Sequence, residues 1–155
     1  MSLALVYENF IWRLETLTPT ESACNERFRY VDPEALDLEN ARHRSFSVFW
    51  ESSDADIAPT DLYDREAAHV FTVEVFYRVG EAALTSRKAH QLIASDRADI
   101  SKELRNPSSW NGYDQSNTGD DIGLCDRLRL GDELERVEHL YIYRAQWQCH
   151  VRESE

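Results

Sequence analysis

Histidine is the first residue to check for acid–base chemistry, because its side chain titrates near neutral pH. The chain carries five histidines, and each is isolated in the sequence: His43, His69, His90, His139 and His150. Nothing in the sequence identifies a group that sets a histidine pKa or a nucleophile that a histidine would activate. The sequence motifs of dinucleotide, phosphate-loop, zinc-protease and serine-hydrolase sites are also missing. We therefore expect no catalytic residues, no cofactor and no enzymatic activity.

The cysteines point to a reducing compartment. There are three of them, Cys24, Cys125 and Cys149, without a CxxC pair. An odd number without close spacing favours free intracellular thiols over a disulfide framework. The start of the chain has no basic segment followed by a long apolar run, and no stretch has the length of a membrane span. We expect a soluble protein that is not exported and does not contact a membrane.

One polar stretch resembles the beginning of a calcium loop. Oxygen-bearing side chains and a glycine fall at its first, third, fifth, sixth and seventh positions: Asp114, Ser116, Thr118, Gly119 and Asp120. The twelfth position, which needs a bidentate acid, is Cys125, and a strand pattern follows instead of a helix. The sequence favours a polar loop tip with Asx and glycine turns over a metal site. Whether Asp114–Asp121 holds a cation stays open.

The charge pattern indicates contacts between protein surfaces. The formal net charge is −12, so the overall field repels phosphate and direct duplex binding is not expected. Lys88 and Lys102 are the only lysines, and arginine supplies the remaining positive charge. Arginine favours paired or interfacial contacts, although a base bias of the genome would give the same excess.

Arginines alternate along strand-like segments, while acids and two aromatics occupy polar ones. The candidate interface residues are Arg27, Arg29, Asp54, Asp56, Asp61, Asp64, Trp110, Tyr113, Asp114, Asp120, Asp121, Arg127 and Arg129. Arginine-rich strands and acidic loops would be complementary if they lie on opposite flanks of the subunit. The alternative is that the acids only keep a small monomer soluble.

The segment from His69 to Leu104 organises the fold that positions these residues. A strand over 69–79 puts Phe71, Val73, Val75 and Tyr77 on one face, which predicts an inner strand. After Gly80 the apolar period changes to nearly four and predicts a helix up to Asn106. Its stripe is Ala89, Leu92, Ile93, either Asp96 or Arg97, Ile100 and Leu104.

Other elements follow from the same periodicities. Leu3, Val6, Tyr7, Phe10, Leu14 and Leu17 predict an N-terminal helix that ends at Thr18-Pro19. Strands are predicted over 27–31, 44–50, 127–130 and 139–151, with a turn at 131–133. The segment 32–40 reads as an acidic loop or one helical turn. The polar segments 51–66 and 108–123 are expected to be contact arms, the first one a projecting hairpin arm.

This order of elements predicts an α+β fold. We expect one domain over residues 1–155, in two layers, with a mostly antiparallel sheet, helices on one face and long protruding loops.

The order and alternation of these elements resemble the tail terminator proteins of long-tailed bacteriophages. The resemblance covers most of the chain and depends on four features: the helix ending in Leu17-Thr18-Pro19, the Arg-x-Phe-x-Val strand at 44–48, the Val-x-Val strand, and Asp96-Arg97 ahead of Ile100 and Leu104. It implies a structural virion protein, assembled in the host cytoplasm, that forms a hexameric ring at the end of the tail tube. The ring would contact the tube protein and the head-tail connector or stopper, and DNA would pass its lumen without specific binding. The long aromatic segment 108–123 departs from that family's pattern.

Two other functions remain. The chain would equally suit another head-tail connector or neck component. It would also suit a small-ligand-binding or enzymatic α+β domain with a pocket between sheet and helices, for which Trp110, Tyr113 and His139 are the nearest candidates.

Overall fold

A computed structural model describes residues 2–21, 27–33, 41–59, 64–78, 85–105 and 124–154, with the backbone alone at 2, 3, 5, 52–59, 64–67, 124–127 and 151–154. Two helices and five strands make up this described part. They are α1 (Ser2–Thr16), β1 (Arg29–Tyr30), β2 (Ser45–Pro59), β3 (Asp64–Arg78), α2 (Ser86–Arg105), β4 (Leu124–Val137) and β5 (Leu140–Ser154).

The strands form one sheet in the order β1-β2-β3-β5-β4. β3 lies at its centre and pairs antiparallel with β2 and with β5 along its whole length. β4 pairs antiparallel with β5, whereas the short β1 pairs parallel with β2. The predicted inner strand is confirmed, and β1 and β4 are the two edges of the sheet.

The hydrophobic core lies between the two helices and one face of the sheet. Phe71, Val73, Val75 and Tyr77 are all at most 1 % exposed, as their shared face predicts. β5 contributes Tyr141, Tyr143, Ala145, Trp147 and Cys149 to the same core. Because each large apolar side chain contributes about 1.5–3 kcal/mol on burial, this layer holds the domain together. The two-layer α+β architecture is confirmed.

Both helices bury the stripe that their spacing predicts. α1 buries Val6, Phe10 and Leu14, and the side chain of Thr85 accepts a hydrogen bond from the backbone N–H of Lys88 in the first turn of α2. The buried residues of α2 are Ala89, Leu92, Ile93, Asp96, Ile100 and Leu104. The structure thus settles the choice between Asp96 and Arg97: Asp96 is buried, and Arg97 is exposed.

The fold was expected to have long protruding loops, including the polar segment 51–66, and that expectation is wrong for most of this segment. β2 and β3 continue through it as paired strands, and the ladder reaches Pro59 opposite Arg65. Backbone pairing between two 15-residue strands holds this polar sequence extended although its side chains are poorly suited to a core. The predicted hairpin is confirmed, although β5 also pairs with β3 as far as Asp64, so this part of the hairpin belongs to the sheet. Its role as a contact arm stays a prediction.

Two smaller expectations are also corrected. The predicted turn at 131–133 lies within β4, where Gly131 pairs with Gln146 and a register shift between Arg129 and Gly131 leaves Leu130 as the extra residue of a bulge. The chain reverses later, at Glu138, which takes a φ of 54°. The predicted strand over 27–31 is reduced to the two residues of β1.

Several expectations fall outside the described residues. They concern most of the acidic segment 32–40 and the whole of the polar segment 108–123, including the calcium-like loop. Among the residues that the structure does describe, no helix has both the length and the apolar character needed to span a membrane.

Candidate functional site

A buried ion pair ties the sheet to α2. The guanidinium of Arg44 donates from Nε to Asp96 Oδ2 at 3.0 Å and from Nη2 to Asp96 Oδ1 at 2.9 Å. The hydroxyl of Tyr77 donates to Asp96 Oδ2 at 2.9 Å, and all three residues are at most 1 % exposed. We call these three residues the buried tie.

The backbone of Arg44 also fixes its neighbours. Its N–H donates to the carbonyl of Phe76 at 2.6 Å, and its carbonyl accepts from the N–H of Arg29 at 3.0 Å. Arg44 has a φ of 61°, a conformation that is costly for a residue with a side chain. These contacts hold Arg44 in that conformation, so one residue connects β1, β3 and α2.

The electrostatics of the buried tie do not favour acid–base catalysis. Burial raises the pKa of Tyr77 well above its ordinary value, and Asp96 acts in the same direction. Burial also raises the pKa of Asp96, while the hydrogen bonds from Arg44 and Tyr77 oppose that rise. Both carboxylate oxygens of Asp96 accept hydrogen bonds within the cluster, and Arg44 Nη2 also donates to the backbone carbonyl of Glu21 at 2.6 Å, which is the pattern of a structural ion pair.

The face of the sheet that the helices do not cover carries a second charged cluster, which we call the open-face cluster. Arg144 donates from Nε to Glu74 at 3.0 Å and from Nη1 to Glu133 at 3.4 Å and to Glu135 at 2.5 Å. Hydrogen bonding to Glu135, and then to Glu74, raises the pKa of Arg144. Three carboxylates share one guanidinium, so this cluster keeps an excess of negative charge.

At the β4 edge, arginines dominate the side that faces α2. Arg97 forms a salt bridge with Asp132, and the hydroxyl of Tyr143 donates to the same carboxylate at 2.8 Å. Arg129 donates to Ser101 Oγ at 2.8 Å, and the guanidinium of Arg136 lies 5.5 Å from the ring centre of Tyr141. We call this edge, from Leu128 to Glu138 together with Arg97, the β4 flank.

The opposite edge holds a groove between α1 and β1, with a volume of about 670 Å³. Its floor is apolar or aromatic and its rim is acidic, with Tyr7, Glu8, Ile11, Glu15, Tyr30, Asp32 and Pro33 as lining residues. The hydroxyl of Tyr7 donates to the carbonyl of Val48 at 2.9 Å and lies 3.2 Å from the hydroxyl of Tyr30. Burial, with smaller contributions from Tyr7, Asp32 and Glu8, raises the pKa of Tyr30. We call this feature the α1–β1 groove.

The structure separates the candidate interface residues between the two edges. Arg27 and Arg29 are exposed beside β1, whereas Arg127 and Arg129 lie in β4 on the far side of the sheet. Asp54, Asp56 and Asp64 lie in the paired strands of the β2–β3 arm. The others, Asp61, Trp110, Tyr113, Asp114, Asp120 and Asp121, fall outside the described residues.

The alternative site between sheet and helices is tested only in part. His139 is exposed in the turn between β4 and β5, and it does not reach the layer between the sheet and the helices. Within the described part of the chain, no group of three or more histidine, cysteine, aspartate or glutamate side chains is placed to hold a metal ion.

Sequence patterns missed the buried tie and the α1–β1 groove. Arg44 stands at the start of a predicted strand, and nothing near it in sequence indicates that Asp96 is its partner. Asp96 within an apolar helical stripe was the one available signal, because a buried carboxylate requires a partner. For the groove, Glu8 and Glu15 lie beside the stripe of α1 and read as ordinary solvated positions.

Comparison with known proteins gives a likeness of fold. No family model matches the chain, and no curated protein matches it. Among solved structures, a chain from the "Virion of native gene transfer agent (GTA) particle" has the same fold, with a TM-score of 0.51 and 14 % identity. The likeness covers 93 % of this chain and 92 % of that one, so it extends over the whole domain.

Proposed function

We propose that this chain is a structural protein of a phage-like particle, and that it caps the tail tube as a ring and joins the tube to the head. The observation that carries the proposal is the shared fold with a chain of the gene transfer agent virion, over 93 % of this chain. Because one fold can support many different roles, the proposal also depends on the charge and shape of the protein's surfaces.

The surfaces suit a ring with a lumen for DNA. Each subunit of a closed ring must present two different, complementary patches, and here the two sheet edges differ in charge and shape. The open-face cluster leaves an excess of carboxylates on one broad face. Lining a lumen with that face would repel phosphate and let DNA pass without binding.

The partners follow from this position. Besides further copies of itself, most simply six in total as in the tail terminators that the sequence resembles, the ring would contact the tail tube protein on one side and the connector or stopper on the other. The protein would therefore be located in the tail or neck of the particle, after assembly in the host cytoplasm.

Deletion of the gene in a particle-producing cell tests the role. Electron micrographs of the lysate should show heads separate from tails, and tails of irregular length, because nothing stops tube growth. A plasmid copy of the wild-type gene should restore joined particles. Unjoined tails of normal length would instead identify another neck component, and joined particles of normal length would refute the proposal.

A further inference from the structure

We infer that the β4 flank of one copy docks in the α1–β1 groove of a second copy. This inference rests on the proposed function, since it specifies the contact between neighbouring subunits of the ring. It depends on three properties of the two edges: exposed apolar side chains, charges of opposite sign, and a reversal of these charges between the helix side and the open face of the sheet.

The β4 flank presents an apolar anchor. In the described part of the chain four large hydrophobic side chains are exposed, and three of them belong to β4: Leu128, Leu130 and Leu134, at 54 %, 49 % and 40 %. Leu134 lies opposite Tyr143 and so on the helix side, whereas Leu128 lies opposite Gln148 on the open face. A partner that lies beside the strand would cover the leucines on both faces of this edge. A partner that lies on one face of the sheet would cover only the leucines of that face.

The α1–β1 groove offers a matching receptor for Leu134. Tyr7, Ile11 and Tyr30 provide an apolar and aromatic surface, and the groove is large enough for several side chains. Its rim carries Glu8 and Glu15, both exposed. An apolar floor with a polar rim is the usual arrangement of a protein interface.

The charges are complementary on the helix side. On the β4 flank, Arg97 and Arg136 are exposed on either side of Leu134, and Asp132 is the carboxylate between them. Seating Leu134 in the groove would bring these arginines against the acidic rim. Charged contacts at the rim of an interface fix the register and exclude wrong partners more than they add affinity.

The charges are also complementary on the open face, with reversed signs. There the β4 flank carries Glu133 and Glu135, at 68 % and 50 % side-chain exposure. The β1 edge carries Arg29, which points away from the core because its neighbours Phe28 and Tyr30 pack into it, and the exposed Arg27. A neighbour in the same orientation therefore meets opposite charges in both layers.

This pattern favours a ring over a two-fold dimer. If two copies met β4 flank to β4 flank with their helices in the same layer, surfaces of like sign would face each other on the helix side and again on the open face. A contact between different edges uses each edge once and repeats around a ring, with helices in one layer and sheets in the other.

Reversing charges on each edge tests the contact. One variant, Glu8→Arg with Glu15→Arg, makes the groove basic. The other, Arg97→Glu with Arg136→Glu, makes the β4 flank acidic. Sedimentation of each variant should show self-association weakened about 100-fold or more, because like charges then face each other.

An equimolar mixture of the two variants should restore assembly. In an alternating ring, the basic groove meets the acidic flank, and the unaltered groove meets the unaltered flank. The matched controls, Arg87→Glu with Lys88→Glu on α2 and Glu21→Lys with Glu51→Lys, change the net charge by the same amounts at residues that belong to neither the groove nor the flank, and they should associate like the wild type. Circular dichroism of every variant confirms that the fold is retained.

Three results would overturn the inference: variants that assemble singly as the wild type does, a mixture that stays dissociated, or a wild-type chain that is monomeric even at about 1 mM, a concentration at which even weak contacts are populated. The gene deletion described above remains a separate test. Irregular, unjoined tails together with any of these results would mean that the role is right and the contact is wrong.

Discussion

The buried tie and the open-face cluster are both built around one arginine, and they differ in almost everything else. Arg44 makes two hydrogen bonds to the carboxylate of Asp96, and both side chains are 0 % exposed. Arg144 shares its guanidinium among three glutamates, and two of those are at least half exposed. The first arrangement is closed, whereas the second leaves charge available to a partner.

Because of this difference, we expect the buried tie to determine stability and the open-face cluster to affect assembly. Removing one member of a buried pair strands a charge in a medium that cannot solvate it, so the buried tie should determine whether the domain folds. Surface pairs contribute little because water competes for both partners. Substitutions in the open-face cluster, the β4 flank or the α1–β1 groove should therefore change the stability of the monomer little and weaken its self-association.

The largest expected effect is on the buried tie. Asp96→Ala should lower the free energy of unfolding by about 3–5 kcal/mol, because the guanidinium of Arg44 would stay buried without its carboxylate. Urea denaturation followed by circular dichroism measures the change. The matched surface variant Glu135→Ala should lose less than about 1 kcal/mol. Equal losses in the two variants would remove the distinction between the clusters.

A smaller effect is expected from the third member of the buried tie. Tyr77→Phe keeps the ring in the core and removes the hydroxyl that donates to Asp96. A hydrogen bond to a charged group contributes about 1.5–3 kcal/mol, so the same denaturation experiment should show a loss in that range. Tyr143→Phe, which removes the donor to the more exposed Asp132, is the control and should lose less. A larger loss of stability in Tyr143→Phe than in Tyr77→Phe would contradict the assignment of Tyr77 to the buried tie.

Leu134→Ser should separate folding from assembly. The side chain is 40 % exposed, so the free energy of unfolding should change by no more than about 0.5 kcal/mol. If Leu134 is the anchor of the subunit contact, self-association should weaken about tenfold in sedimentation, equivalent to about 1.4 kcal/mol. Ala94→Ser, at an exposed position of α2, provides the control. Unchanged association would exclude Leu134 as an anchor.

The smallest effect is a dependence of stability on pH. The hydrogen bond from Arg97 lowers the pKa of Asp132. Because the folded pKa lies below the unfolded value of about 3.9, the stabilisation is fully present above about pH 5 and is lost as pH falls through the folded pKa. At neutral pH the wild type should be more stable than Asp132→Asn by about 0.2–1 kcal/mol, and this difference should shrink as pH falls below about 5. A stability difference between wild type and Asp132→Asn that grows as pH falls would contradict the predicted direction of the pH dependence.

Periodicity was sufficient to predict the layers. The alternation in β3 and β5 and the stripe of α2 each identified the core face correctly, because a face that is buried along its whole length must be apolar at every second or every third to fourth position. The polar β2–β3 arm was harder to predict, because its strands are held by backbone pairing and carry no apolar face signal.

The sequence by itself determined the fold class, the inner strand, the buried face of each helix and the excess of acid. Only the tertiary structure decided that Arg44 meets Asp96 across 52 residues, and that β1 and β4 are the two contrasting edges of the sheet. The reason is physical: periodicity records which side of an element faces the core, whereas pairing and edge position depend on how the strands are ordered in space. That order follows from contacts between residues far apart in the chain, and a local pattern carries no trace of them.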